Sequence, residues 1–499
     1  MDDERIEERK KFYLNYKLNI SNEREEYGLS LRKKKLFNNF LKRRLEDLKE
    51  DNNDKSKYEI KKETIKNLKE FEHIEFNNPE QIIYFYEEII SSDPSLDQIY
   101  LAIYTLKKID WKQNSLSYIT LNFAEKTCDL LMKNIDNIII VNEILQILII
   151  ITYYNNDNDR INSFTTIAYI IIYNKLFKKY FNDSFILRRL INLLGNLVYN
   201  NKNIQKIFYE YKIFDSIQKI YNITLNNEKR REDCIWFFNI FIFNIHKNFF
   251  FKDNFEFLKG IINIFCDNIF NEQLTKNCLL GMFNLCNLEN IKIIQYILTK
   301  EDFFNFILSL PIKYYEDVGK FICDFSALDN YICSILIKNF KLTDFFIKGL
   351  NSEYTTLFLY ILNIYLDFQN DEIKRILYEN GIINQIINLI KTHEKKIIYY
   401  ALICIKSLLK TSNDVLLYFL YQNHIIQLLV ETLLKNPEEK NLIIESIIIL
   451  LGKDNENKIF KKEFNDYGIK EILNKIDLEY ENKNIDYNSI KYLVNNYFN

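Results

Sequence analysis

Two sets of side chains in this 499-residue chain could do chemistry, and in both the chemistry is reversible binding. The first lies within 28–44, where Arg32, Lys33, Lys34, Lys35, Lys42, Arg43 and Arg44 supply seven positive charges and no negative one. Leu29, Leu36, Phe37, Phe40, Leu41 and Leu45 are interleaved with them at helical spacing. Such a run can fold as an amphipathic helix against a partner, with Lys and Arg on the remaining faces. The second set is a series of polar residues near the ends of apolar helical patterns. Asn196, Asn244, Asn284, Asp324, Asn363 and Ser407 are separated by 48, 40, 40, 39 and 44 residues. Taken singly, each reads as a helix-end or satisfied polar residue. Taken together, at one place in successive units, they read as the lining of a groove. An amide side chain carries both a donor and an acceptor, which suits the N–H and C=O of an extended peptide.

Nothing in the chain has the spacing of a catalytic apparatus. There is no Gly-rich phosphate loop, no nucleophile motif and no zinc-ligand spacing. His73, His246, His393 and His424 are far apart, and the eight cysteines include no C-x-x-C pair. Cys278 and Cys286 are eight residues apart on one expected helix, and the reading is free, buried thiols in a reducing compartment. Carboxylate pairs such as Glu87-Glu88 and Glu438-Glu439 read as solvated faces. The expectation is a protein that is not an enzyme and takes no cofactor or metal.

Composition sets the elements that must position these residues. With nine Gly and four Pro, the chain lacks the turn residues of an all-β protein or a Gly-rich α/β protein. Apolar residues make up 48% of the chain, enough for a continuous core. The abundant Ile, Asn, Lys, Tyr and Phe match the bias of an AT-rich genome, which makes many of the aromatics core fillers. The start, Met1-Asp-Asp-Glu-Arg-Ile-Glu-Glu8, is acidic, unlike a secretory signal. The most apolar run, Ile138 to Tyr154, contains Asn142, Glu143 and Gln146 and falls short of the ~20 clean residues of a membrane span.

The chain divides into an arm with its linker, 1–57, and an array, 58–499. The linker Glu50-Asp-Asn-Asn-Asp-Lys-Ser-Lys57 is too polar to bury apolar area. From about residue 75, apolar helical patterns alternate with short polar breaks. One unit is clear at Glu379-Asn-Gly-Ile-Ile-Asn-Gln-Ile-Ile-Asn-Leu-Ile390, followed by Ile397 to Leu409. It recurs at Asn423 to Val430 with Asn441 to Leu451, and again from Tyr467. Gly381 and Gly468 precede the second helix of their units and suit a sharp turn. A period near 40 built from helices alone is that of armadillo or HEAT arrays, whose units stack because none can bury its apolar faces alone. The fold expected is all-α: a right-handed superhelical solenoid of about ten armadillo-like repeats with an N-terminal basic arm. The pattern before residue 150 lacks its Gly and Asn markers, so boundaries there are poorly set.

The two ends of the chain resemble the importin-α family of nuclear-import adaptors. Leu31-Arg32-Lys33-x-Lys35, followed six residues later by Leu41-Lys42-Arg43-Arg44, is similar to that family's importin-β-binding segment, and Arg24 falls where the segment has upstream arginines. Asn465 to Ile476 and Tyr487 to Asn499, with the closing Tyr497-Phe498, look like its final half-repeat. The family's groove carries Trp-x-x-x-Asn on the third helix of most repeats. The Asn half is kept here better than the Trp half. Asn192, Ile240, Leu280, Leu359 and Ile403 stand at the Trp positions, and Lys320 precedes Asp324 where the family tends to carry a basic residue. Trp236 lies two turns before Asn244 and reads as core.

The resemblance implies an adaptor that shuttles between cytoplasm and nucleus. Asn196, Asn244, Asn284, Lys320, Asp324, Asn363 and Ser407 would line a groove for basic localisation peptides. Arg32, Lys33, Lys35, Lys42, Arg43 and Arg44 would bind the importin-β carrier or fold back into the groove. The C-terminal repeats would meet the export receptor. The alternative is an armadillo scaffold that tethers other peptides without importin-β. Nucleic-acid binding is disfavoured, because the formal net charge of −2 leaves no broad positive surface beyond the arm.

Overall fold

The computed structural model describes Ile60, Phe76 and most of the chain from Asn78 to Phe498. Residues 1–59, 61–75, 77, 112–120, 155–174, 199–201, 211, 224–226, 246–253, 287, 289, 369, 392–393, 437–438, 455–458, 480–491 and 499 lie outside the described residues. The basic arm and its linker therefore lie outside them. Among the described residues there is no strand, and no helix is long and apolar enough to cross a membrane. The chain divides into two compact units, Met1–Asn196 and Leu197–Asn499.

The first unit begins with helices α1 (Pro79–Ser91) and α2 (Leu96–Leu106), then α3 (Leu121–Lys133) and α4 (Ile138–Tyr154), and ends within α5 (Ser184–Val198). Asn78 caps α1 by accepting from the Gln81 N–H, with Pro79 at the first position, where a missing N–H costs nothing. A capping box of Ser95 and Gln98 starts α2. Helix α1 packs on α2 and α3, and α4 packs on α2 and α3, so the two pairs stack. Buried Tyr86 donates to Thr127 Oγ1 at 3.1 Å between α1 and α3.

The second unit repeats a three-helix pattern, with two short helices followed by a third helix of variable length. Its helices are α6 (Lys202–Glu210), α7 (Ile213–Ile223) and α8 (Glu228–Ile245), then α9 (Phe255–Asn268) and α10 (Thr275–Cys286). Next come α11 (Ile291–Leu298), α12 (Glu301–Ser309) and α13 (Tyr315–Ser326), then α14 (Asn330–Asn339), α15 (Leu342–Leu350) and α16 (Thr355–Asp367). These are followed by α17 (Asp371–Glu379), α18 (Ile382–Ile390) and α19 (Lys395–Thr411), then α20 (Asp414–Gln422), α21 (Ile425–Lys435) and α22 (Lys440–Gly452). Helices α23 (Ile459–Asp466) and α24 (Ile469–Glu479) close the array. Third helices α8, α10, α13, α16, α19 and α22 each contact the next, and second helices α12, α15, α18 and α21 do the same. This is the armadillo-like solenoid that the period of about 40 residues called for.

The turn from first to second helix explains the two glycines. Gly381 has φ 74° and Gly468 φ 67°, the left-handed region that glycine enters without a Cβ penalty. Lys212 (φ 54°) and His424 (φ 57°) hold the same turn in their repeats with ordinary side chains. Asparagine supplies caps that also tie repeats together. Asn370 Oδ1 accepts from the N–H groups of Glu372 and Ile373, while its Nδ2 donates to Ser334 Oγ of the preceding first helix at 2.9 Å. Phenylalanine fills the core. The Phe214 ring lies 4.1 Å from that of Phe241, and the Phe304 ring 4.6 Å from that of Phe340. Trp236 is buried within α8, as a core residue.

Candidate functional site on the third helices

Hydrogen bonds between neighbouring third helices set their register in the second unit. Cys404 Sγ donates to the Leu359 carbonyl at 3.1 Å, and Thr411 Oγ1 to the Leu366 carbonyl at 2.8 Å. The hydroxyls of Ser326 and Tyr365 meet at 2.7 Å. This register brings Asn284, Asp324, Asn363 and Ser407 to equivalent places on α10, α13, α16 and α19.

Their environments differ. Asn284 is 5% exposed, and its Nδ2 is buried with no hydrogen-bond partner; Asn363 is 6% exposed, and its Oδ1 is in the same condition. Asp324 and Ser407 are half-buried. Lys320, also half-buried, is paired with Glu316 at 2.5 Å across one turn of α13. In the first unit, Asn196 donates to the Ile149 carbonyl at 3.1 Å and to Thr152 Oγ1 at 3.2 Å, so it ties α5 to α4. The side chain of Asn244 and the whole basic arm lie outside the described residues.

At the positions one turn earlier, Asn192, Ile240 and Leu359 are buried, Ile403 is half-buried and Leu280 is partly exposed. Ile240 and Leu359 sink into the core, and none of these five positions carries an aromatic ring, so they form no aromatic slots. The six residues Phe358 to Asn363 are all buried, so α16 is enclosed where it packs between α13 and α19. Exposed Tyr399 stands one turn before Ile403 on α19 and brings an aromatic ring to this face. Its place was readable from the heptad-like spacing 399, 403, 407, 410 once the register of α19 is known.

Charge changes sign along the face. Asp317 on α13 is half-buried; burial raises its carboxyl above the usual range, opposed by Lys276 and Lys320. Glu353 is exposed just before α16. On α19, from Lys395 to Thr411, there are four lysines and no carboxylate. Lys396 and Lys410 are exposed, and Lys406 pairs with Glu445 of α22.

The described residues hold no group of His, Cys, Asp and Glu placed to bind a metal. The eight cysteines form no disulfide, and burial pushes the Cys266 thiol up to about 12, which suppresses thiolate chemistry. The arrangement places polar and charged groups at regular intervals along successive third helices.

No protein-family model matches the chain, and no curated protein sequence is similar to it. Among solved structures it is similar to an engineered protein determined by crystallography as a structural-genomics target, with a TM-score of 0.61 and 12% identity over 85% of this chain and 100% of that one. A designed armadillo repeat protein in complex with the peptide (KR)4 is also similar, with a TM-score of 0.39 and 14% identity over 45% of this chain and 94% of that one. The first likeness is one of fold, and it accords with the all-α repeat architecture seen here.

Proposed function

We propose that the chain is a binding adaptor that holds an extended peptide against the third helices of its second unit. One observation carries this reading: Asn284 Nδ2 and Asn363 Oδ1 are buried without partners at equivalent places on α10 and α16. An unsatisfied buried amide group costs roughly 1–3 kcal/mol. Rotation of each side chain toward the exposed face, with a peptide carbonyl or N–H as its partner, would recover part of that cost. Asp324, on the helix between them, would add charge recognition.

At finer detail the reading is a nuclear-import adaptor that works without catalysis. Arg32, Lys33, Lys35, Lys42, Arg43 and Arg44 would bind importin-β, and the groove would take basic localisation peptides. Export would use the C-terminal repeats, and the protein would shuttle between cytoplasm and nucleus. The resemblance of the arm and of the C-terminal half-repeat supports this. When the carrier is absent, Lys42-Arg43-Arg44 would compete with cargo from the same chain at high effective concentration. Carrier and cargo affinities would then be coupled reciprocally.

A scaffold that binds other peptides without importin-β is the second reading. The burial of Asn192, Ile240 and Leu359, which removes the aromatic slots for Lys and Arg stems, favours it.

Fluorescence anisotropy of a labelled basic localisation peptide, with the full chain and with or without importin-β, tests both. The adaptor reading expects tight binding only when importin-β is added, and tight binding without it after Lys42→Glu, Arg43→Glu and Arg44→Glu together. Failure of importin-β to bind the full chain would leave the scaffold reading in its place.

A further inference from the structure

The charge reversal between α13 and α19 specifies the ligand more narrowly, and the inference rests on the peptide-binding reading above. We infer that the second unit recognises a peptide of opposed charges, with a basic side chain over α13 and acidic side chains over α19. Asp317 and Glu353 supply negative charge at the α13 end, and neither makes an ion pair among the described residues. Lys320 offsets Asp317 only in part, because Glu316 also holds it at 2.5 Å. Lys276, the other cation facing Asp317, also lies over the Tyr314 ring at 5.9 Å.

At the α19 end exposed Lys395, Lys396 and Lys410 outnumber exposed Glu394, which precedes the helix. Lys406 is held by Glu445, and Glu439 lies near Tyr399. Lys396 and Lys410 are exposed and make no ion pair among the described residues. Between the two ends, Thr356, Leu357 and Ile364 offer half-buried neutral surface. A ligand that crosses this face meets carboxylates, then a neutral strip, then lysines and the ring of Tyr399.

The spacing follows from the fold. Packed helices lie 8–10 Å apart, so two steps along the third helices cover about 20 Å. An extended chain advances about 3.3 Å per residue. The basic and acidic side chains of the ligand are therefore about six residues apart. A uniformly basic peptide would meet Lys396 and Lys410 with like charge, at a cost that falls as salt rises.

The test uses the full chain and three labelled peptides of one length. One carries Lys, five neutral residues and Glu-Glu; one has Lys-Lys in place of Glu-Glu; one has all charged positions changed to Gln. At low salt the bipolar peptide should bind at least fivefold more tightly than the all-basic one, and the advantage should shrink in high salt. Lys396→Glu with Lys410→Glu should reverse the preference. Equal or tighter binding of the all-basic peptide, unaffected by those substitutions, would overturn the inference and leave peptide binding intact. Binding of none of the three would overturn both.

Discussion

Asn196 Nδ2 lies 3.1 Å from the carbonyl oxygen of Ile149, a residue 47 positions earlier in the chain. That bond joins two helices of the first unit. Asn363, at the matching place in its own helix, has an amide oxygen buried with no partner. The two residues look alike in sequence and differ in what their side chains do. Asn196→Ala should lower stability by about 1 kcal/mol, the usual worth of a hydrogen bond, without changing peptide affinity. Asn363→Leu should leave stability equal or higher and reduce peptide affinity about tenfold. Denaturant melts and peptide titrations on both variants check the pair.

The turn residue His424 adopts φ 57°, where Gly381 and Gly468 serve in other repeats. A left-handed conformation costs a non-glycine residue roughly 1–2 kcal/mol, and glycine loses about 0.5–1 kcal/mol in unfolded-state entropy. His424→Gly should therefore stabilise the protein by about 0.5 kcal/mol. At Gly381 a Cβ would touch nothing within 4 Å, so Gly381→Ala should cost about 1 kcal/mol from conformation alone. Urea midpoints of the two variants should move in opposite directions.

Two glycines serve close packing instead. A Cβ on Gly281 would run into the Phe265 ring and Asn239 Oδ1, and one on Gly349 into the Phe358 ring. Overpacking of this kind typically costs 1–3 kcal/mol. Gly281→Ala and Gly349→Ala should each lower the thermal midpoint, and Gly349→Ala should lose the effect when combined with Phe358→Leu.

Lys374 is 1% exposed and donates to the Thr411 carbonyl at 2.5 Å, at the C-terminal end of α19. Burial pushes its ammonium down to about 8; Asp371 and Asp367 oppose this, and Lys453 adds to it. The folded protein thus releases this proton near pH 8, while the unfolded chain holds it to about pH 10.5. Between these values the unfolded state binds more protons, so this group's contribution to stability rises with pH. The stability of the natural protein relative to Lys374→Met should be flat below pH 8 and should increase from pH 8 to 10.5. A constant difference across that range would show that Lys374 does not titrate as placed.

Much of the fold was legible in the residues. The Gly at 381 and 468 marked real left-handed turns, and the spacing of Asn284, Asp324 and Asn363 matched successive third helices. Trp236 and the phenylalanines went to the core. The region before residue 150 was the hard part, since α1 to α4 carry neither marker, and only their stacking reveals the pairs. The candidate site was half legible. The polar positions could be found by period, while Tyr399 needed the register of α19 and the opposed charges of α13 and α19 needed the packing of neighbouring helices.

The sequence by itself determined that this protein is helical, repetitive and free of recognisable catalytic spacing, because apolar periodicity and turn residues act over a few positions. Only the tertiary structure decided which asparagines tie helices and which keep an amide atom without a partner. It also decided that Leu359, which stands where the resembled family has a Trp, is buried in the core, and that Lys320 is held by Glu316. Those outcomes depend on how each helix is rotated against a neighbour some forty residues away, and burial and pairing across that distance leave no local mark in the sequence.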